Sequence, residues 1–126
     1  MSQEFKIEII SPDKRIFAGS SDEAILPCFE GQVTILKDHI PLITFLRPGI
    51  IEIGKNEKFY TEDGTVEFTD NNLLILSTTI QSLKMINTEQ KNSMIREAEK
   101  ALSSNQISDK QKYIFNYKIE TLKQIN

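Results

Sequence analysis

From Phe5 to Ile80 the chain runs in short stretches where apolar and polar residues alternate, and beyond Ile80 the period lengthens. In "EFKIEII", Phe5, Ile7 and Ile9 alternate with Lys6 and Glu8, the period-two signature of a strand with one buried face. Ser11-Pro12-Asp13 supplies turn chemistry, and "RIFAG" and "DEAILP" read as two further strands, closed by Gly19 and Pro27. After the Glu30-Gly31 turn come the β-branched stretches "QVTIL" and "PLITFL". "GIIEIG" and "EKFYT" then flank Lys55-Asn56 as a hairpin. Glu62-Asp63-Gly64 turns into "TVEFT", where Val66 and Phe68 share a face, and Asp70-Asn71-Asn72 turns again into "LLILSTTI". Many short strands separated by turns predict a sandwich or barrel of mostly antiparallel strands.

Past Ile80 the signals are helical. Asn87 with Gln90, and Ser108 with Gln111, are capping-box patterns that satisfy the free N–H groups of a first helical turn. Met94, Ile95, Ala98, Ala101 and Leu102 fall on one face of the first helix, and Ile114, Phe115, Ile119, Leu122 and Ile125 on one face of the second. The polar "SSNQ" between them suits a helical hairpin, and the alanines allow close approach. Helices this short depend on tertiary packing, so the apolar faces need the sandwich or another protein to lean on. The expected architecture is mainly β with an α appendage. An N-terminal antiparallel β-sandwich over residues 1–84 precedes a C-terminal antiparallel two-helix hairpin over 85–126.

A length of 126 residues suits one domain with a small appendage, and 39% hydrophobic with 26% charged residues is a globular balance. "MSQEFKIEII" has no basic segment followed by an apolar one, and no run approaches the roughly 20 apolar residues of a membrane span. The expectation is a chain neither secreted nor inserted in a membrane. Cys28 is the single cysteine and His39 the single histidine, so neither an internal disulfide nor a structural zinc site is expected. The net charge of −3 is unevenly placed. Residues 1–87 carry 8 basic and 13 acidic side chains (−5), and residues 88–126 carry 7 and 5 (+2). That is no concentrated field for nucleic acid, but a modestly basic tail suits an acidic protein surface.

No catalytic set emerges. Cys28, between Pro27 and Phe29, reads as a small buried or turn residue, and His39 as a polar residue at a strand junction. The glycines lie singly at turns rather than in a phosphate-cradling loop, and the pairs Asp22-Glu23 and Glu62-Asp63 read as solvated turn carboxylates. Tyr113 and Tyr117 lie off the apolar stripe of the second helix, where rim packing is the usual role. Lys110, Lys112, Lys118 and Lys123 make that helix positive against Asp109 and Glu120. Such charges are a solvated face by default and become a binding surface if the hairpin leaves its own domain.

"FKIEIISPDKRIFAG", followed by "EGQVTILKDHIPLITFLRPGII", resembles the epsilon-subunit family of the rotary ATP synthase. The shared features are a Ser-Pro turn, a Phe-x-Gly, and the spaced run from Glu30-Gly31 through His39-x-Pro41-Leu42 and Thr44 to Pro48-Gly49. The resemblance extends in order over the whole chain, including the helical tail. Residues 55–80 depart from it, with "EDGTVEF" where members commonly carry Gly-Gly-Phe.

The resemblance implies a non-catalytic rotor subunit without cofactor or metal, coupling rotation of the gamma shaft and the membrane c-ring to ATP synthesis. Ser11, His39, Ile40, Pro41, Leu42 and Thr44 would meet the gamma shaft, with His39 and the Ile40-Pro41-Leu42-Ile43 segment forming part of that interface, and Glu30, Gly31 and Gln32 would meet the ring loops. Most members are acidic at the position of Gln32, which retains hydrogen bonding without an ion pair. The tail would act as a movable brake. Lys110, Lys112, Lys118 and Lys123 would contact the alpha/beta catalytic head when it extends, opposing ATP hydrolysis. Members that bind ATP carry Ile/Leu-Asp-x-x-Arg-Ala at the first tail helix. Here Asn87 and Gln90 replace the Asp and the Arg, so no nucleotide site is expected. The implied location is peripheral, on the cytoplasmic face of a bacterial inner membrane, with neither direct membrane insertion nor nucleic acid. The alternative reading is a free-standing β-sandwich ligand-binding module with a permanently packed hairpin.

Overall fold

The computed structural model describes residues 3–125. Ten strands come first: β1 (Phe5–Ile10), β2 (Arg15–Ser21), β3 (Glu23–Cys28), β4 (Gly31–Leu36), β5 (Leu42–Leu46), β6 (Gly49–Ile53), β7 (Glu57–Thr61), β8 (Gly64–Thr69), β9 (Asn72–Leu76) and the two-residue β10 (Gln81–Ser82). A short 3-10 turn over Leu83–Met85 leads to α1 (Thr88–Leu102) and α2 (Asp109–Lys123).

The strands form one sheet in the order β10-β7-β6-β3-β5-β8-β9-β1-β2, with β4 added on β3. Between β3 and β5 the only register pair is Cys28 with Leu46, and there the sheet folds over into two layers. The alternating residues of both halves meet inside. Phe5, Ile7 and Ile9 of β1, Ala24 and Leu26 of β3, Ile51 and Ile53 of β6, and Val66 and Phe68 of β8 share one buried cluster. The pairing is antiparallel except between β1 and β9. Parallel neighbours need a long connection, and everything from β2 to β8 supplies it.

The turns follow their residues. Asp70 and Asn71 both have positive φ (49° and 61°), the mirror-image turn that suits a two-residue hairpin, here joining β8 to β9. "LLILSTTI" is not one strand. β9 stops at Leu76, where hydroxyls take over the backbone bonding: Thr79 N–H donates locally to Ser77 Oγ at 3.1 Å, and Thr79 Oγ1 accepts from the distant Glu62 N–H at 2.9 Å.

Gly64 has φ +150°, and a Cβ there would lie 2.6 Å from the carbonyl oxygen of Leu76. Gly64→Ala is therefore expected to cost about 2–3 kcal/mol, read as a lower urea midpoint with an unchanged slope. Gly54, also at positive φ (61°), lies in open surroundings apart from Ser21 Oγ at 3.0 Å, so the backbone contact is what sets Gly64 apart.

Ser108 forms a complete capping box with Gln111. Asn87 caps α1 by accepting the Gln90 N–H at 2.7 Å, but the Gln90 side chain turns away and donates to Gln81 Oε1 at 3.3 Å. The two helices pack antiparallel with Ala98 buried between them, and the hairpin rests on the outer face of the β6–β7 pair. Tyr60, Ile86, Leu122 and Ile125 form this second, smaller cluster, with Ile50, Leu83, Met94 and Ile95 around it. Lys91 Nζ donates to the Ile125 carbonyl at 2.8 Å, placing a cation at the negative end of α2. No helix among the described residues is long and apolar enough to cross a membrane.

Candidate functional site

The segment containing the single histidine is a fixed loop. Asp38 adopts φ +66° and is clamped to the β8–β9 turn: its N–H donates to Asn71 Oδ1 at 2.6 Å, and Asn71 Nδ2 donates back to Asp38 Oδ1 at 2.9 Å. His39 Nδ1 lies 2.7 Å from the Ile40 carbonyl, which can only accept, so Nδ1 carries the proton. The imidazole stands edge-on to Phe68, with centroids 5.9 Å apart. His39 thus shapes the loop that delivers Ile40 and Pro41 to the surface.

β5 alternates strictly. Thr44 and Leu46 point inward, with Thr44 only 4% exposed, while Ile43 and Phe45 point outward at 76% and 59%. The Thr44 hydroxyl lies 2.7 Å from each carboxylate oxygen of Glu30, tying the β3–β4 turn to β5. Phe29 N–H donates to the Phe45 carbonyl at 3.1 Å, so Phe29 lies beside Phe45. Ile40, Ile43, Phe45 and Phe29 form an exposed apolar strip along β5, and Leu76 lies two strands away. Between them runs a groove of about 850 Å³ lined by Ile10, Phe29, Phe45 and Leu76, with Ser11 and Lys110 also lining it.

Of the residues expected at the shaft, Ile40 and Pro41 are exposed on this face, Ser11 lines the groove and His39 is half-buried in the loop beside it, whereas Leu42 packs against the core and Thr44 sits beneath the strip as a tie to Glu30. Glu30 and Gln32 are exposed around the half-buried Gly31, which has φ +127°. The four lysines of α2 separate. Lys112 and Lys123 face solvent, Lys110 lines the groove, and Lys118 Nζ lies 3.0 Å from Glu62 Oε2. Asn87 and Gln90 are engaged in the helix cap and with Gln81. Cys28 is fully buried, and burial, reinforced by Glu30, pushes its thiol up to about 11, so it remains an unreactive thiol near neutral pH. Sequence reasoning left out Phe29, Phe45 and Leu76, whereas Ile43 belongs to the segment it expected at the interface. It also left out the pairing of α2 with the body through Arg47, whose guanidinium lies 4.1 Å from the Tyr117 ring centroid.

A rigid two-layer body with an uncovered apolar strip and a docked basic hairpin defines a protein that works by contact. The family described as ATP synthase, Delta/Epsilon chain, beta-sandwich domain matches residues 4–82. The chain is 43% identical to the ATP synthase epsilon chain of Pelagibacter ubique over the whole of both chains. It is 37% identical to that of Leptospira interrogans over 102 residues, 79% of this chain and 80% of the relative. The fold matches a chain in the mitochondrial ATP synthase of Euglena gracilis with TM-score 0.75 and 16% identity, covering 98% of this chain and 79% of that one. It also matches a chain in the central stalk and c-ring structure of the Tetrahymena thermophila enzyme with TM-score 0.67 and 17% identity, covering 94% and 93%. The chain belongs to the ATP synthase delta/epsilon family, and its full-length likeness is to epsilon chains of the F-type enzyme.

Proposed function

We propose that this chain is the non-catalytic central-stalk subunit of a proton-translocating ATP synthase, held between the gamma shaft and the c-ring, and that its hairpin restrains ATP hydrolysis. The observation that carries the reading is the exposed strip of Ile40, Ile43, Phe45 and Phe29, backed by a β-layer and continuous with the groove that Ser11 lines. Contiguous apolar surface of this kind marks a protein contact. The shaft is its occupant in this reading, with Ile43 and Phe45 as anchors and Thr44 as the buried brace that fixes Glu30. The Glu30-Gly31-Gln32 turn then meets the ring loops by hydrogen bonding. Lys110, Lys112 and Lys123, with Lys118 once released, meet an acidic surface of the alpha/beta head. The working place is the cytoplasmic face of a bacterial inner membrane, where the subunit is peripheral.

The division of labour is tested by removing residues 88–126 and assaying head ATPase with and without the intact or shortened chain. The shortened chain is expected to co-purify with gamma and the ring at modest salt and to sustain proton coupling, with hydrolysis raised or level. Loss of assembly on this deletion overturns the assignment of shaft contact to the β body. Recovery of a monomer alone from the intact chain favours the ligand-module reading.

A further inference from the structure

The acidic pair Glu62-Asp63 is not merely a solvated turn, because α2 lies against it. Lys118 Nζ is 3.0 Å from Glu62 Oε2, with the two side chains 17% and 27% exposed. The same carboxylate accepts the Tyr60 hydroxyl at 3.0 Å, and the Glu62 N–H donates to Thr79 Oγ1 at 2.9 Å. Thr79 Oγ1 in turn donates to Asp63 Oδ1 at 3.2 Å. Both carboxylates are therefore oriented by groups of the body itself. Lys110, on the same helix, lines the groove to which Asp63 also contributes. On the opposite flank Arg47, anchored by donating to the Pro48 carbonyl at 3.0 Å, covers the Tyr117 ring. The body at −5 and the tail at +2 attract one another over longer range in the same sense.

We infer that the Glu62-Asp63 corner is an internal acidic surface competing with an acidic protein partner for the lysines of α2. This competition, rather than a nucleotide, sets how often the hairpin leaves the body. The inference rests on the reading of the hairpin as a movable element. Lys118 cannot keep its short contact with Glu62 and also pair with a carboxylate on a partner, so docking and partner binding exclude one another at that side chain. Weakening the corner releases the hairpin, and strengthening it holds the hairpin down.

Hydrogen exchange of the α2 amides in the full chain tests this, since it reads even rarely populated openings. Glu62→Gln retains an acceptor for Tyr60 and removes the charge. Protection across α2 is expected to fall about five- to tenfold, as for one partly buried charge-assisted contact, while β1 and β9 stay protected. Lys118→Met should produce the same fall, and the double variant no more than either alone. Raising salt from about 50 to 500 mM should lower α2 protection in the wild type more than in Glu62→Gln. Millimolar ATP should leave it unchanged. Equal protection in wild type and Glu62→Gln, an equal salt response, or added protection by ATP overturns the inference. Binding to gamma, measured on the same samples, reports separately on the rotor reading, since α2 protection is read without any partner.

Discussion

Replacing Phe45 by Glu is expected to weaken capture of the gamma subunit by at least about 100-fold, because a carboxylate would have to be buried without a partner at the centre of an apolar contact. Phe45 is 59% exposed and points away from the core, whose residues on the same strand are Thr44 and Leu46. The substitution should therefore leave thermal unfolding nearly unchanged. Ile43→Glu, two residues along on the same face, should behave alike. Gln32→Ala at the β3–β4 turn should leave shaft capture intact, because that turn is assigned to the ring. The measurement is gamma capture at a fixed salt concentration, with circular dichroism as the folding control. Full capture by a folded Phe45→Glu protein would remove the strip from the shaft contact and leave the proposed function without its main support.

The strands that the sequence marked well have one face buried and the other wet. Phe5, Ile7 and Ile9, or Val66 and Phe68, announce their inward phase because their neighbours are polar. β7 gives no such signal: Phe59, Tyr60 and Thr61 are consecutively buried, since the core covers one face and the hairpin the other. In β5 both faces are apolar, with Leu42, Thr44 and Leu46 inward and Ile43 and Phe45 outward, so alternation does not announce which side is buried. The buried hydroxyl is satisfied by Glu30, fourteen residues earlier, and no local rule predicts such a partner. The helix caps were legible because Asn87 and Ser108 act on donors three residues away. The docking contacts were not, since Arg47 with Tyr117 and Glu62 with Lys118 lie far apart in the chain. The sandwich and the hairpin followed from residue pattern, and the loop proposed for the shaft was picked out by family motif. The anchors within that face depended on strand phase, which only the folded chain reveals.

Tyr60 is the residue on which body and tail depend jointly, and Tyr60→Ala is expected to weaken hairpin docking by about 3–5 kcal/mol, the usual cost of deleting a buried aromatic. Its ring is fully buried beneath Leu122 and Ile125, while Phe59 on the same strand faces the main core. The loss should therefore appear as fast hydrogen exchange throughout α2, ahead of any exchange in β1 or β9. Tyr60→Phe isolates the hydroxyl. Burial and the adjacent Glu62 carboxylate hold the phenol far above its ordinary range, so the docked state keeps a proton that an exposed tyrosine loses near pH 10. Its contribution is complete below that pH and declines as pH rises above it, by about 1.4 kcal/mol per unit, because the docked form then binds more protons than the open one. Tyr60→Phe should be less stable than wild type at pH 8 and lose less on going from pH 10 to 11, with the lysines common to both proteins cancelling in the comparison. Parallel pH dependence of α2 protection in the two proteins would show that the phenol does not hold the tail down.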